Sequence, residues 1–319
     1  MNERAGIFAA IISSALGGTA VAATRYLIGA TDSITLAAFR FGIAFVLILP
    51  LALVSHSKWP QGRDWLRVAG LGVLFFGMFF VIYNVSLRYT TAARGSLALS
   101  TLPLVTMLVA AFLGREALTA RKTAGVFIAM TGVAIALGTG LAAAPLGAWR
   151  GDLIMVGGTL CMALYNVWSQ PLMARSSRLG FLAAGMGFGS TSSALVAWRS
   201  GGFAATQSFS LAQWTAVILL GVFGSAAAFY LWVYALERTT PTRVANTMTV
   251  NPITASTIAA LVIGEAISLS LVVGMVAVFA GIWIASTDRR VPLQSLGLES
   301  ASSEASPQGN RKASRATTP

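Results

Sequence analysis

The chain has 319 residues, 56% of them hydrophobic and 10% charged, and its 22 Lys and Arg against 10 Asp and Glu give a formal net charge of +12. A water-facing fold carries roughly 25% charged residues, so this composition excludes a soluble fold and turns most of the surface to lipid. The basic residues are scattered singly or in pairs between apolar runs, as loop residues that anchor helices are, which argues against nucleic-acid binding.

Apolar runs of about 20 residues recur along the chain, the length of a helix crossing a ~30 Å hydrocarbon core. They do not alternate as the strands of a membrane barrel would. The spacing predicts ten spans, near residues 6–28, 34–54, 66–88, 92–113 and 121–140, then 151–173, 180–199, 211–236, 241–263 and 268–287. The first run lacks a convincing small-residue cleavage site and reads as a helix that stays. Gly138 to Arg150 joins two halves, 6–140 and 151–287. Residues 288–319, rich in Ser, Ala, Thr and Pro, read as a disordered cytoplasmic tail. The one cysteine, Cys161, permits no internal disulfide and reads as a small buried apolar residue. The expected fold is an all-α polytopic membrane protein.

One stretch occurs twice. A constant shift of 149 positions superposes Leu87 on Leu236, Thr90-Thr91 on Thr239-Thr240, Arg94 on Arg243, Pro103 on Pro252 and Glu116-Ala117 on Glu265-Ala266. Chance matches between apolar segments would favour Leu and Ala, whereas these include Arg, Pro, Glu and paired Thr. Short-loop Lys and Arg counts put the N-terminus in the cytoplasm, with Lys58, Arg63, Arg121, Arg175, Arg178, Arg238 and Arg243 inside, and Arg25, Arg88, Arg94, Arg150 and Arg199 outside. Both termini are then cytoplasmic. Five spans per copy is an odd number, so the second copy enters the membrane upside down, the inverted-topology repeat of carriers.

Gly17-Gly18-Thr19-Ala20, Leu36-Ala37-Ala38-Phe39-Arg40-Phe41, Ser86-Leu87-Arg88-Tyr89-Thr90 through Pro103, and Phe112-Leu113-Gly114-Arg115-Glu116-Ala117-Leu118 are answered in the second copy by Gly151-Asp152-Leu153, Pro252 and Gly264-Glu265. In these the chain resembles the EamA-type drug/metabolite transporter superfamily over about residues 6–287. The resemblance implies a ten-helix inner-membrane carrier of two five-helix repeats. The aromatic-rich helices are similar to those of bacterial exporters of amino acids, aromatic ones included. A multidrug or nucleotide-sugar carrier of the same superfamily is the alternative. A sugar-phosphate substrate would want several inward basic residues, and Arg40 alone qualifies.

An ionisable residue within a span is a functional candidate by default. Arg40 reads as a contact for a substrate carboxylate or part of an outer gate, against an Arg that satisfies helix-end carbonyls or snorkels to the interface, which its position favours. Glu116 and Glu265 stand just past the fourth and ninth spans, where pairing with basic loop neighbours is the expected role. No Asp or Glu falls mid-span, so a buried carboxylate proton relay is not expected. The cavity candidates are uncharged: Tyr83, Asn84, Ser96, Ser100, Thr101, Tyr165, Asn166, Trp168, Tyr230, Tyr234, Asn246 and Asn251. Ser96 with Ser100, and Tyr230 with Tyr234, each share a helix face, and a polar face in lipid should turn inward to a cavity. Interhelical bonding, or an interfacial belt for the aromatics, is the competing role. Pro103 and Pro252 are hinge candidates, or points of fixed curvature. Gly125, Gly132, Gly274 and Gly281 read as close-packing surfaces of the fifth and tenth helices, and the superfamily resemblance implies that those helices could form a dimer face, for a monomer or homodimer. Gly185 to Gly189 superficially resembles a nucleotide fingerprint but has no strand before it and reads as packing. The one histidine, His56, is in a loop, and no carboxylate cluster exists, so no metal, cofactor or enzymatic centre is expected.

Overall fold

A computed structural model describes residues 3–114, 119–139, 146–265, 267 and 269–286. Arg115, Glu116, Ala117, much of the joining segment and the tail lie outside the described residues. All the predicted spans are helical where they are described. They are α1 (Glu3–Leu27), α2 (Ser33–Val54), α3 (Asp64–Tyr89), α4 (Ala92–Phe112) and α5 (Ala120–Thr139). Then follow α6 (Ala148–Met173), α7 (Arg178–Arg199), α8 (Leu211–Leu236), α9 and α10 (Leu269–Ser286). Helix α9 runs as Pro241–Asn246, a 3-10 turn at Thr247–Thr249, and Val250–Ile263. Of these, α1, α2, α3, α4, α7 and α8 are long and apolar enough to cross a membrane.

Side-chain caps set several helix starts. The Asp32 carboxylate accepts from the Ile34 and Thr35 amides, both at 2.9 Å, and opens α2. Burial alone would raise the pKa of this carboxyl. The Thr35 hydroxyl and the two amides outweigh that and hold it below the usual carboxylate value. Thr91 accepts from the Arg94 amide at 3.2 Å, and its repeat mate Thr240 accepts from the Arg243 amide at 3.4 Å. The second Thr of each duplicated pair is therefore an N-cap.

The repeat is also written in the irregularities. A π-helical stretch widens α3 at Val73–Phe79 and α8 at Val222–Ala227, starting 149 positions apart. Helix α4 breaks at Ser100 and Thr101, and α9 passes through its 3-10 turn at Thr247–Thr249. Pro103 and Pro252 stand just beyond these breaks, in the first turn of the resumed helix, where a missing N–H costs no ladder bond.

Helix α2 packs on α7, α1 on α8 and α9, and α6 on α3 and α4. Glycines allow the closest approaches. A Cβ on Gly72 would lie 2.3 Å from the Gly185 carbonyl oxygen, and one on Gly189 2.5 Å from the Phe76 Cβ. The Gly185 to Gly189 run is thus the packing stretch of α7 against α3. On Gly281 a Cβ would meet the Ala129 amide nitrogen at 2.4 Å and the Gly125 carbonyl oxygen at 2.5 Å. The glycines of α5 and α10 thus pack the two helices against each other inside one chain, the close-packing role expected of them.

Candidate functional site

The core between the helices is a cluster of rings. Phe75 stacks on Tyr165 at 4.2 Å, and Phe41, Phe76, Phe80 and Phe229 pack edge-on or tilted around them. Beside this cluster lies a small central chamber of about 40 Å³, reached by Arg40, Tyr83, Phe80, Phe229, Trp232 and Asn251. That is close to the ~30 Å³ share of one water in the liquid, so the chamber as it stands is too small for a metabolite. Its walls come from both halves of the chain: α1 to α4 on one side, α6, α8 and α9 on the other.

Arg40 is 3% exposed. Its Nε donates to the Ser225 hydroxyl at 2.7 Å and its Nη2 to the Gly224 carbonyl at 2.8 Å, both in the π-helical stretch of α8. The guanidinium carbon lies 4.4 Å from the centre of the Phe80 ring. Its Nη1 is buried without a hydrogen-bond partner, and Tyr83 is the group that interacts with its charge. The interfacial, snorkelling role favoured by sequence position does not hold, because the side chain turns inward and crosses to the other half. A charge in this setting costs at least ~2.5–3.5 kcal/mol on insertion scales. Hydrogen bonds and ring faces lower that cost without neutralising the charge.

Of the uncharged candidates, Tyr83 and Asn251 reach the chamber. Asn166 takes the Trp232 indole N–H on its Oδ1 at 2.9 Å, which ties it to a chamber wall, and its Nδ2 is buried and unbonded. Tyr165 is buried in the ring cluster with its hydroxyl unbonded. Thr101 is buried at the α4 break, its hydroxyl unbonded, and Asn246 is buried at the α9 break. Asn84 is buried and donates to the Ser33 carbonyl at 2.8 Å. Ser96 and Ser100 donate to carbonyls of their own helix, Ala93 and Ser96. Trp168 is 42% exposed, on the outside. Tyr230 and Tyr234 meet the Arg178 guanidinium, the first accepting a hydrogen bond at 2.9 Å and the second lying under it at 4.6 Å. Sequence reasoning did not name Ser225, Phe80 or Phe229 as cavity residues, although Phe80 and Phe229 match across the repeat, 149 positions apart.

Polar clusters close the ends of the bundle. At one end, Asp152 accepts from Thr90 at 2.8 Å and from Arg94 at 2.6 Å. Nearby, Arg25 donates to the Leu87 carbonyl at 3.0 Å, and Glu265 lies 3.5 Å from Arg25 and accepts from the Ala92 amide at 3.1 Å. At the end from which α1 starts, Glu3 accepts from Thr239 at 3.0 Å and pairs with Arg243. Arg178 pairs with Glu237 at 2.8 Å. Glu265 thus takes the expected role of a helix-end carboxylate paired with a base. Asp152 and Glu3 were missed as partners of the duplicated threonines and arginines; the signal available was an acidic residue near the start of the first helix of each copy.

A much larger concavity, about 1040 Å³, lies elsewhere, among Leu16, Tyr26, Leu211, Leu219, Phe223 and Val262 of α1, α8 and α9. Its apolar, largely exposed lining suits acyl chains and offers nothing to orient a polar solute. Among the described residues no group of His, Cys, Asp and Glu could hold a metal ion.

The profile of the EamA-like transporter family matches residues 4–138 and again 149–287. An uncharacterized transporter of Bacillus subtilis (strain 168), YyaM, is 24% identical over 272 residues, covering 84% of this chain and 89% of its own. A protein of Streptantibioticus cattleyicolor named a probable terminal-alkyne amino-acid exporter is 26% identical over 201 residues, 62% of this chain and 65% of its own. A crystal structure superposes with a TM-score of 0.65 at 20% identity, covering 87% of this chain and 97% of that one. At that identity the likeness speaks to the fold.

Proposed function

Because the chain belongs to the EamA-like transporter family, we propose that it is a carrier that exports small amphiphilic metabolites, amino acids with aromatic or hydrophobic side chains first among them, by alternating access. In this reading ten helices cross the inner membrane as two oppositely threaded five-helix repeats, with both termini in the cytoplasm. Support for the threading comes from the repeat mates Thr239 and Thr90, which bind Glu3 and Asp152 in clusters at different ends of α1. The breaks before Pro103 and Pro252 are where α4 and α9 would bend.

The observation that carries the proposal is the unneutralised, inward Arg40 at the edge of a closed, ring-walled chamber shared by both halves. A substrate carboxylate on Nη1 supplies the missing counter-charge, and Phe80, Phe229 and Trp232 receive an apolar side chain. The closed chamber holds about 40 Å³. Ligand pockets begin at roughly 300 Å³, so binding requires the halves to part. The relative named as an amino-acid exporter points the same way.

Counterflow in proteoliposomes loaded with a panel of labelled amino acids, sugars and cationic drugs tests this. Exchange of aromatic or hydrophobic amino acids, abolished by Arg40→Gln with the protein still folded, is expected. Exchange of bulky cations alone contradicts it.

A further inference from the structure

We infer that Asp152 with Arg94 and Thr90, and Glu3 with Arg243 and Thr239, are two matched latches that hold the chamber shut at opposite ends, and that opening either end breaks one latch while the other stays made. The inference rests on the carrier reading above.

The two clusters are the same device built twice. In each, one carboxylate takes a hydroxyl and a guanidinium: Thr90 at 2.8 Å and Arg94 at 2.6 Å on Asp152, Thr239 at 3.0 Å and Arg243 on Glu3. The threonines and the arginines are repeat mates, 149 positions apart, and the two carboxylates stand near the starts of α1 and α6, the first helices of the two copies. Each latch also crosses between the halves. Glu3, in the first half, holds the start of α9 in the second, and Asp152, in the second, holds the start of α4 in the first.

The clamped ends belong to helices suited to move. Thr91 and Thr240 cap the short leading segments Ala92–Leu99 and Pro241–Asn246, so each begins as a formed helix. Behind each segment the helix is interrupted, at Ser100 and Thr101 or at Thr247–Thr249. Leu99 and Met248, at these interruptions, line the chamber. Releasing a carboxylate therefore frees an arm whose far end is a chamber wall.

The latches lie at opposite ends of the bundle. Helix α1 has 25 residues. At about 1.5 Å of rise per residue it is roughly 37 Å long. Glu3 is at its start, and Arg25 near its end binds the Leu87 carbonyl, three residues from Thr90. An ion pair taken out of water contributes little net stability but is costly to break from one side, which suits a contact made and unmade in a cycle.

The two are not equally strong. The Asp152 and Arg94 side chains are 8% and 9% exposed, those of Glu3 and Arg243 33% and 26%. Water screens the second pair more, and exposed pairs hold less tightly. The Asp152 end has a further tie in Glu265 on the Ala92 amide. The repeat mate of Ala92 is Pro241, which has no N–H to give. The Glu3 end is accordingly the one that opens first.

The test uses the full chain with Cys161→Ala and a single probe cysteine in place of Met248, reconstituted and labelled with a membrane-impermeant maleimide from either side. Asp152→Asn is expected to raise labelling several-fold from the Asp152 end only, and Glu3→Gln from the Glu3 end only. Exchanging the charges, Arg94→Asp together with Asp152→Arg, is expected to return labelling toward the parent level, which a mere folding defect would not do. The inference is overturned if both single variants raise labelling from the same end, or if neither does. Counterflow by the parent protein is scored separately, so failure of the carrier reading shows as absent exchange with latch-dependent labelling intact.

Discussion

The Arg40 Nη2 donates to the Gly224 carbonyl at 2.8 Å, a bond from the first half of the chain into the π-helical turn of the second. This bond and the one to Ser225 hold the guanidinium, whose Nη1 is buried without a hydrogen bond, at the edge of the chamber. Hydrogen bonds to charged groups contribute about 1.5–3 kcal/mol. Arg40→Gln is therefore expected to weaken substrate half-saturation by roughly 10- to 100-fold. Ser225→Ala, which removes one aiming contact and no charge, is expected to cost about tenfold or less. The KM for counterflow in the two variants checks the order.

The α3–α7 seam makes a paired prediction on stability. Gly72→Ala drives a methyl into the Gly185 backbone, whereas Gly70, two residues earlier in the same helix, has nothing within 4 Å of its would-be Cβ. Overpacking costs about 1–3 kcal/mol, while Gly to Ala in an open helical position gains about 1 kcal/mol. Thermal unfolding in detergent should show a lower Tm for Gly72→Ala and an equal or higher Tm for Gly70→Ala.

Asp32 gives a pH dependence. Its carboxyl titrates below its ordinary value in the folded protein because the Thr35 hydroxyl and the amides of Thr35 and Ile34 outweigh its burial. A depressed pKa means stability that is present above the unfolded value near 3.9 and lost as pH falls below it. Tm measured from pH 6 down to 3 should fall less steeply in Asp32→Asn than in the parent. Asn also caps helices well, so the two should differ little at neutral pH.

The helices were legible because their signal is crude: apolar runs of fixed length, ended by charged or capping residues. The span expected at 34–54 is Ser33–Val54, and that at 180–199 is Arg178–Arg199. Which face of each helix looks inward was not legible. Helices apolar all round carry little moment, so Phe80 and Phe229 could not be told from lipid-facing phenylalanines, nor Ser225 from a packing serine. Tyr230 and Tyr234 do share a face, but that face meets Arg178, a partner 52 residues from Tyr230 in sequence that no local pattern reveals. Arg40 was read as interfacial from its distance to the helix end. Its burial follows from α8 lying across it, a tertiary fact. The paired threonines were visible as a repeat, but their division into a cap and a carboxylate ligand needed the packing of Glu3 and Asp152.

A carrier of this kind needs its two halves threaded through the bilayer in opposite senses. Lys58 and Gln207 lie in equivalent loops of the two copies, both exposed, one between α2 and α3 and the other between α7 and α8. With Cys161→Ala as background, Lys58→Cys and Gln207→Cys can each be labelled with an impermeant maleimide in vesicles of known orientation. Labelling of Lys58→Cys from the cytoplasmic side alone and of Gln207→Cys from the opposite side alone is the expected result. Labelling of both from one side contradicts it.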